Sequence, residues 1–456
     1  MKTFIDEAKI HNIIAEAKFS RPKARRIIKK ALDLKGLGLK EAALLLNCDD
    51  RDFLSEIFNA ASRVKELIYG KRVVLFAPLY LSNKCANDCL YCGFRARNKS
   101  IKRKRLSEAE IKKEVKVLLA QGHKRLLLVA SESAGPDISY LEKAVKTVYE
   151  TRNKRGAIRR VNVNVAPLKY KEFRRLKKAG IGTYQLFQET YHKETYKAMH
   201  TAGPKSDYYK RLYAMDIAQD AGIDDVGIGV LFGLYDYKFE VLGLLSHARY
   251  LEDKFCVGPH TISVPRIKPA QGAPVSINPP CAVSALDFKK IVAVLRLTVP
   301  YTGMILSTRE KASLRNELLD LGISQISAGS RTNPGGYTQK DNAGQFSVSD
   351  NRSLKEVVTD MTRLGYIPSF CTACYRVGRT GEDFMDLAKP GDIHNFCLPN
   401  ALLTFKEYAL DYCPDNSDEI SGIIAKEAGS IFNATVKEET LKKLKELEKG
   451  KRDLFF

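Results

Sequence analysis

The chain has 456 residues, 44% of them apolar and 28% charged, with 75 Lys and Arg against 53 Asp and Glu for a net charge of +22. This is too apolar for a disordered chain, and no run approaches the roughly 18 apolar residues that a spanning helix needs. The opening MKTFIDEAKIHNII does not read as a secretory signal, and ten cysteines in an expected cytoplasmic chain point to metal ligands or core residues rather than a disulfide framework.

In chain order, residues 1–70 read as a helical extension. Apolar residues recur at helical spacing over Ala24–Leu34, Lys40–Leu46 and Asp50–Tyr69. From Val73 the pattern changes to short β-branched runs separated by amphipathic stretches. The expected strands are Val73–Leu81, Arg125–Ser131, Val161–Ala166, Thr183–Gln188, Asp225–Gly233, Thr261–Ile267, Gly303–Arg309 and Gln325–Arg331. The expected helices include Ser107–Gln121, Ile138–Lys154, Lys169–Lys178, Lys205–Asp220, Lys238–Glu252 and Leu286–Leu297. Ser107 and Glu110 have capping-box spacing, and Gly180, Gly222 and Gly322 stand where helices should stop. Eight alternating units predict an α/β chain with a parallel (β/α)8 barrel of TIM type over 71–335. Residues 336–456 form a C-terminal module with four of the ten cysteines.

The basic stretches Arg21–Lys40 and Arg95–Arg105 read as solvated surface. No aromatic-interleaved RNA signature or zinc-finger spacing accompanies them, so nucleic acid is not the expected partner.

Two cysteine groups carry the chemistry. Cys85, Cys89 and Cys92 stand in CANDCLYCGFR with C-x3-C-x2-C spacing, directly after the first expected strand. A barrel places that loop at the C-terminal mouth, where active sites sit. Three thiolates can hold three irons of a 4Fe–4S cluster and leave the fourth open. Cys371, Cys374 and Cys397 have C-x2-C-x22-C spacing, again with no fourth thiol in register. This suggests a second cluster with one site for another ligand, and a zinc site completed by His394 is the alternative. Cys413, Cys48, Cys256 and Cys281 read as structural.

The first triplet, with Tyr91 before its last cysteine, resembles the radical S-adenosylmethionine (SAM) superfamily. Further segments are Ser131–Ser133, Leu186–Tyr191, Leu306–Glu310 and Ser327–Tyr337. These resemble the aromatic amino acid lyase group, and the second triplet resembles its tyrosine lyase for FeFe-hydrogenase maturation. The thiazole-synthesis tyrosine lyase, 2-iminoacetate synthase, is the alternative and lacks that triplet.

The resemblance implies a 4Fe–4S cluster on Cys85, Cys89 and Cys92 that binds SAM, with Tyr91, Glu132 and Glu189 at the cofactor. It implies L-tyrosine as substrate, contacted by Ser307, Arg309 and Ser327. Tyrosine would give p-cresol and dehydroglycine, and dehydroglycine would give carbon monoxide and cyanide. These would build an iron carbonyl–cyanide precursor of the H-cluster. A second iron–sulfur cluster on Cys371, Cys374 and Cys397 would carry a labile iron held by His260 and a cysteine molecule. Other hydrogenase maturation proteins and an electron donor would be its partners, with no membrane involved. His260 precedes the sixth expected strand and so lies at the mouth opposite Cys85, roughly 20 Å away. The roles agree only if the C-terminal module covers the barrel floor.

A cluster-binding scaffold without chemistry is the competing class. It would need none of Glu132, Arg309 or the Ser327–Tyr337 turn. An RNA-modifying radical SAM enzyme is a third, suggested only by the charge.

Overall fold

A computed structural model of the chain describes residues 3–133, 137–339, 343–413 and 417–456. The strands are β1 (Arg72–Ser82), β2 (Arg125–Ala130), β3 (Arg152–Asn153), β4 (Gly156–Ala157), β5 (Arg160–Asn164), β6 (Thr183–Gln185), β7 (Asp225–Gly229), β8 (Thr261–Ser263), β9 (Gly303–Leu306), β10 (Gln325–Ser327) and β11 (Ile367–Ser369). Eight of them run parallel in the order β1-β2-β5-β6-β7-β8-β9-β10, and the barrel closes where Val74 of β1 pairs with Gln325 of β10. β3 and β4 make a separate antiparallel hairpin.

Each barrel strand begins within a residue of its expected start, and most end early. The run Thr261–Ile267 stops pairing as a strand at Ser263. Pro265 follows two residues on and has no N–H for a ladder. The apolar pattern continues because Val264 and Ile267 are buried in the mouth, not in a sheet. The expected helix Lys205–Asp220 is broken into a turn at Pro204–Ser206 and helices Tyr208–Leu212 and Ala214–Asp220. Asp207 caps the middle piece by accepting from the Lys210 N–H at 2.9 Å. Helices Lys193–Met199 and Ala312–Leu321 were not anticipated.

The leading helices Glu7–Glu16, Arg21–Leu32, Leu39–Leu46 and Arg51–Tyr69 pack on the outside of the barrel. Arg51–Tyr69 lies along Ala285–Thr298 through an apolar face of Phe53, Leu54, Ile57, Ala61, Val64 and Ile68. The C-terminal module contributes β11, which the sequence reading missed. β11 pairs with the first residues of β1, Arg72 opposite Ile367 and Val74 opposite Ser369. That pairing delivers Phe370 and Cys371 to the barrel floor. Among the described residues no helix is long and apolar enough to cross a membrane.

Candidate active site and auxiliary metal centre

At the C-terminal mouth the cysteine loop is built from its own charged residues. Asp88 takes a two-pronged bond from Arg95 at 2.7 and 2.8 Å. That bond holds the Asp88 carboxyl down at about 2. Arg103 donates to the carbonyls of Asn83, Phe94, Arg95 and Asn98 at 2.6 to 3.0 Å. Part of the basic stretch Arg95–Arg105 is thus an internal brace of the loop. Arg95 is 9% exposed.

Cys85, Cys89 and Cys92 are free thiols lining one cavity of about 190 Å³. Burial pushes Cys89 up to about 12, with Cys92 and Cys85 adding to it, so a metal must displace its proton. The Tyr91 hydroxyl lies 2.8 Å from His200 Nε2, which fixes the ring beside the thiols. Gln345 reaches the same sulfurs from the other side. Its Oε1 accepts from the Tyr80 hydroxyl at 2.8 Å, and its Nε2 stands 3.8 Å from Cys92 Sγ.

The remaining expected residues of this mouth line the same cavity. Glu132 Oε2 accepts from Asn87 Nδ2 at 2.8 Å, so its other oxygen faces the cavity without that partner. Glu189 holds a backbone φ of +72°, a strained setting for a side chain of this kind. Burial would raise its carboxyl, but Lys205 at 2.6 Å and Arg211 at 3.4 Å hold it below the usual range. Glu189 is therefore already paired, unlike Glu132. Arg309 lies 3.3 Å over the Phe346 ring and makes no ion pair among the described residues. Glu310 is not its partner, because Arg266 and Lys268 hold that carboxylate. The Ser327 hydroxyl is buried with no hydrogen-bond partner among the described residues, and Ser307 Oγ accepts from the Arg309 N–H at 3.4 Å. Among the described residues Arg309 Nη1 reaches only the Arg266 carbonyl, at 3.5 Å, and a guanidinium without an ion pair beside a buried hydroxyl in one cavity can bind a carboxylate.

At the floor, Cys371, Cys374, Cys397 and His260 line a second cavity of about 60 Å³. Arg72, Arg125, Gly303, Gln325 and Tyr375 share it. Arg72, Arg125, Gly303 and Gln325 open β1, β2, β9 and β10, so the second triplet and the first lie at opposite mouths. Burial pushes the Cys374 thiol up to about 12, aided by Cys397 and Cys371. His260 Nε2 is 3.0 Å from the Tyr375 hydroxyl, which also meets Thr183 Oγ1 at 2.9 Å. Asp225 Oδ1 lies 3.5 Å from His260 Nδ1, which has no hydrogen-bond partner among the described residues. His394 does not join the triplet. It packs on Gly70, where an added Cβ would lie 2.7 Å from its Cε1.

Among the described residues no three His, Cys, Asp or Glu side chains converge as ligands of a single ion. Three thiols facing one cavity suit a cluster, whose irons each take one thiolate. Both triplets fit that group, with three protein ligands and room for a fourth of another kind.

Between the cavities the barrel interior carries polar side chains among apolar ones, where its fold usually packs branched aliphatics. Gln185, Thr261, Ser263 and Ser327 point into it. Gly227 lets Thr261 and Gln185 pack against its backbone, since a Cβ there would lie 2.4 Å from Thr261 Oγ1 and 2.8 Å from Gln185 Cγ.

Sequence reasoning missed Asn87, His200, Lys205, Arg211, Gln345 and Phe346 at the top, and Arg72, Arg125, Arg160, Asp225 and Tyr375 at the floor. Two signals were present. Tyr375 follows Cys374 as Tyr91 precedes Cys92, and Arg125 and Arg160 open buried strands with a charge. The others reach their cavities only through tertiary contacts.

A model of the radical SAM superfamily matches residues 79–245, and one of the biotin and thiamin synthesis associated domain matches 263–367. The 2-iminoacetate synthase of Escherichia coli is 33% identical over 344 residues, 75% of this chain and 89% of that protein. A crystal structure of HydG, described as a maturase of the FeFe-hydrogenase, matches with 53% identity and a TM-score of 0.96, over 99% of this chain and 100% of that one. The FeFe-hydrogenase maturase HydG of Carboxydothermus hydrogenoformans matches with 43% identity and a TM-score of 0.82, over 96% and 97%.

Proposed function

This chain belongs to the radical SAM superfamily, in the group that holds 2-iminoacetate synthase and the maturase HydG, and we propose that it is a tyrosine lyase serving FeFe-hydrogenase maturation. L-tyrosine is cleaved at the Cα–Cβ bond in the upper cavity to p-cresol and dehydroglycine. Dehydroglycine yields carbon monoxide and cyanide at the floor, for an iron carbonyl–cyanide precursor of the H-cluster. A 4Fe–4S cluster on Cys85, Cys89 and Cys92 would supply the electron that cleaves SAM to methionine and a 5′-deoxyadenosyl radical. Cys371, Cys374 and Cys397 would hold the second cluster, and His260 a labile iron.

The side chains divide the binding work. Glu132, with one oxygen tied to Asn87, is set to receive the ammonium of SAM. Arg309 is set to take the tyrosine carboxylate, because its fork is flat on Phe346 and free of any carboxylate. Ser327 can add its unused hydroxyl. Glu189 acts through Lys205 and Arg211 and shapes the cavity wall.

The observation that carries this reading is the placement of two cysteine triplets at opposite mouths of one barrel. Anaerobic reconstitution followed by SAM, reductant and tyrosine tests it. The expected products are 5′-deoxyadenosine, p-cresol, carbon monoxide and cyanide. Glyoxylate in place of carbon monoxide and cyanide would make the chain a dehydroglycine-releasing lyase of the thiazole type. No SAM cleavage at all would make it a scaffold.

A further inference from the structure

We propose that Arg125 and Arg160 form a receptor for a small carboxylate at the barrel floor, beside the Cys371, Cys374 and Cys397 cavity. The proposal rests on the lyase reading above and names the anionic fragment's docking point.

The two arginines open neighbouring strands and stand directly opposite each other in the β2–β5 register. They are 6% and 7% exposed. Like charges facing across a strand pair are destabilising, and a buried charge without a partner costs more still. Among the described residues neither makes an ion pair with a carboxylate, and the Nε of each is buried without an acceptor. Arg125 makes a long contact from its Nη1 to Gln325 Oε1 at 3.5 Å and stands 5.5 Å over the Tyr375 ring.

The cation of Arg160 is housed deliberately. Its guanidinium lies 3.2 Å over the Tyr375 ring, which fixes its plane. It fits there because residue 182 is glycine. A Cβ at Gly182 would lie 1.7 Å from Arg160 Nε and Nη2. Tyr375 in turn is pinned by His260 and Thr183.

Arg125 shares the cysteine cavity with Arg72. The groups around Arg160 are Tyr375, Tyr149, Arg125 and Asp225, and burial lowers its pKa. Asp225 is a carboxylate facing Arg160. Its Oδ1 is shared by the Gly381 N–H at 3.3 Å and His260 at 3.5 Å. Two guanidiniums against this shared carboxylate leave a net positive cup. The flat two-oxygen anion of a carboxylate matches the guanidinium forks, and Arg125 faces the floor cavity beside Gln325.

Calorimetric titration of the reconstituted enzyme with oxamate, a stable planar two-carbon carboxylate, tests the site without turnover. Oxamide is the neutral control and inorganic phosphate the competing anion. Wild-type protein should bind oxamate and not oxamide. Arg125→Gln and Arg160→Gln should each weaken binding by about tenfold or more. Arg160→Lys should recover part of it, and thermal melts confirm that each variant is folded. Equal binding by wild type and the glutamine variants, or no binding by wild type, would overturn the proposal. Phosphate bound as tightly as oxamate would overturn the carboxylate assignment. A wild-type protein that binds oxamate but makes no p-cresol would sink the lyase reading and leave the anion site standing.

Discussion

The two mouths of the barrel each hold three cysteines, yet they are made in opposite ways. The upper triplet comes from eight consecutive residues, and Asp88, Arg95 and Arg103 from the same stretch brace it. The lower triplet is assembled from two segments. Cys371 and Cys374 follow β11, and Cys397 comes from the helix His394–Tyr412. The upper cavity, near 190 Å³, carries Glu132, Glu189 and the Arg309 guanidinium. The lower, near 60 Å³, is ringed by arginines. A local loop can form its own site, while the floor site exists only once the barrel has closed and β11 has paired.

The largest expected break in this comparison comes from the upper loop. Cys89→Ala should drop SAM cleavage and p-cresol to background, while iron content falls by about four per chain and the floor cluster stays. Chromatography of 5′-deoxyadenosine and iron analysis check both halves. Retention of full SAM cleavage would mean the upper loop is not the reactive end.

Arg309→Gln should raise the tyrosine KM by roughly 100-fold, the equivalent of about 2.7 kcal/mol for a lost charged hydrogen-bonded pair. Arg309→Lys should recover part of it, and SAM cleavage without tyrosine should change little. An unchanged KM would move the substrate carboxylate elsewhere.

Gln345→Leu removes the amide that faces Cys92 Sγ. It should lower the potential of the upper cluster by tens of millivolts and leave the lower one unmoved. A redox titration followed by electron paramagnetic resonance reads the two separately. A shift confined to the lower cluster would contradict the geometry.

The smallest effect belongs to neither mouth. Burial lowers His123 and His247 from 6.5 to about 3. Both stay neutral in the folded chain and take up protons only when it unfolds. Their stabilisation is complete above pH 6.5 and is lost as pH falls from there through 3. The limit is about 1.4 kcal/mol per pH unit for each. Urea melts of the metal-free protein should show a lower midpoint at pH 5 than at pH 7. A higher midpoint at pH 5 would be the wrong sign.

The barrel was legible because its strands are continuous buried runs, as parallel strands are. Their ends were not, since Val264 and Ile267 carry the same apolar signal in the mouth as in the sheet. β11 escaped notice because three residues, Ile-Pro-Ser, make no periodicity. The upper triplet could be read from spacing alone. At the floor, Cys371, Cys374, Cys397 and His260 were singled out, but their cationic surround was not. Arg125 and Arg160 lie 35 residues apart in the chain and meet only through strand register.

The central claim is that tyrosine is cleaved at one mouth and its fragment converted at the other. The product balance of the Cys371→Ala, Cys374→Ala double variant tests it most directly. With SAM, reductant and tyrosine, the account predicts p-cresol within about threefold of wild type, carbon monoxide at background, and glyoxylate in its place. Loss of p-cresol together with carbon monoxide in a folded variant that keeps its upper cluster would contradict it.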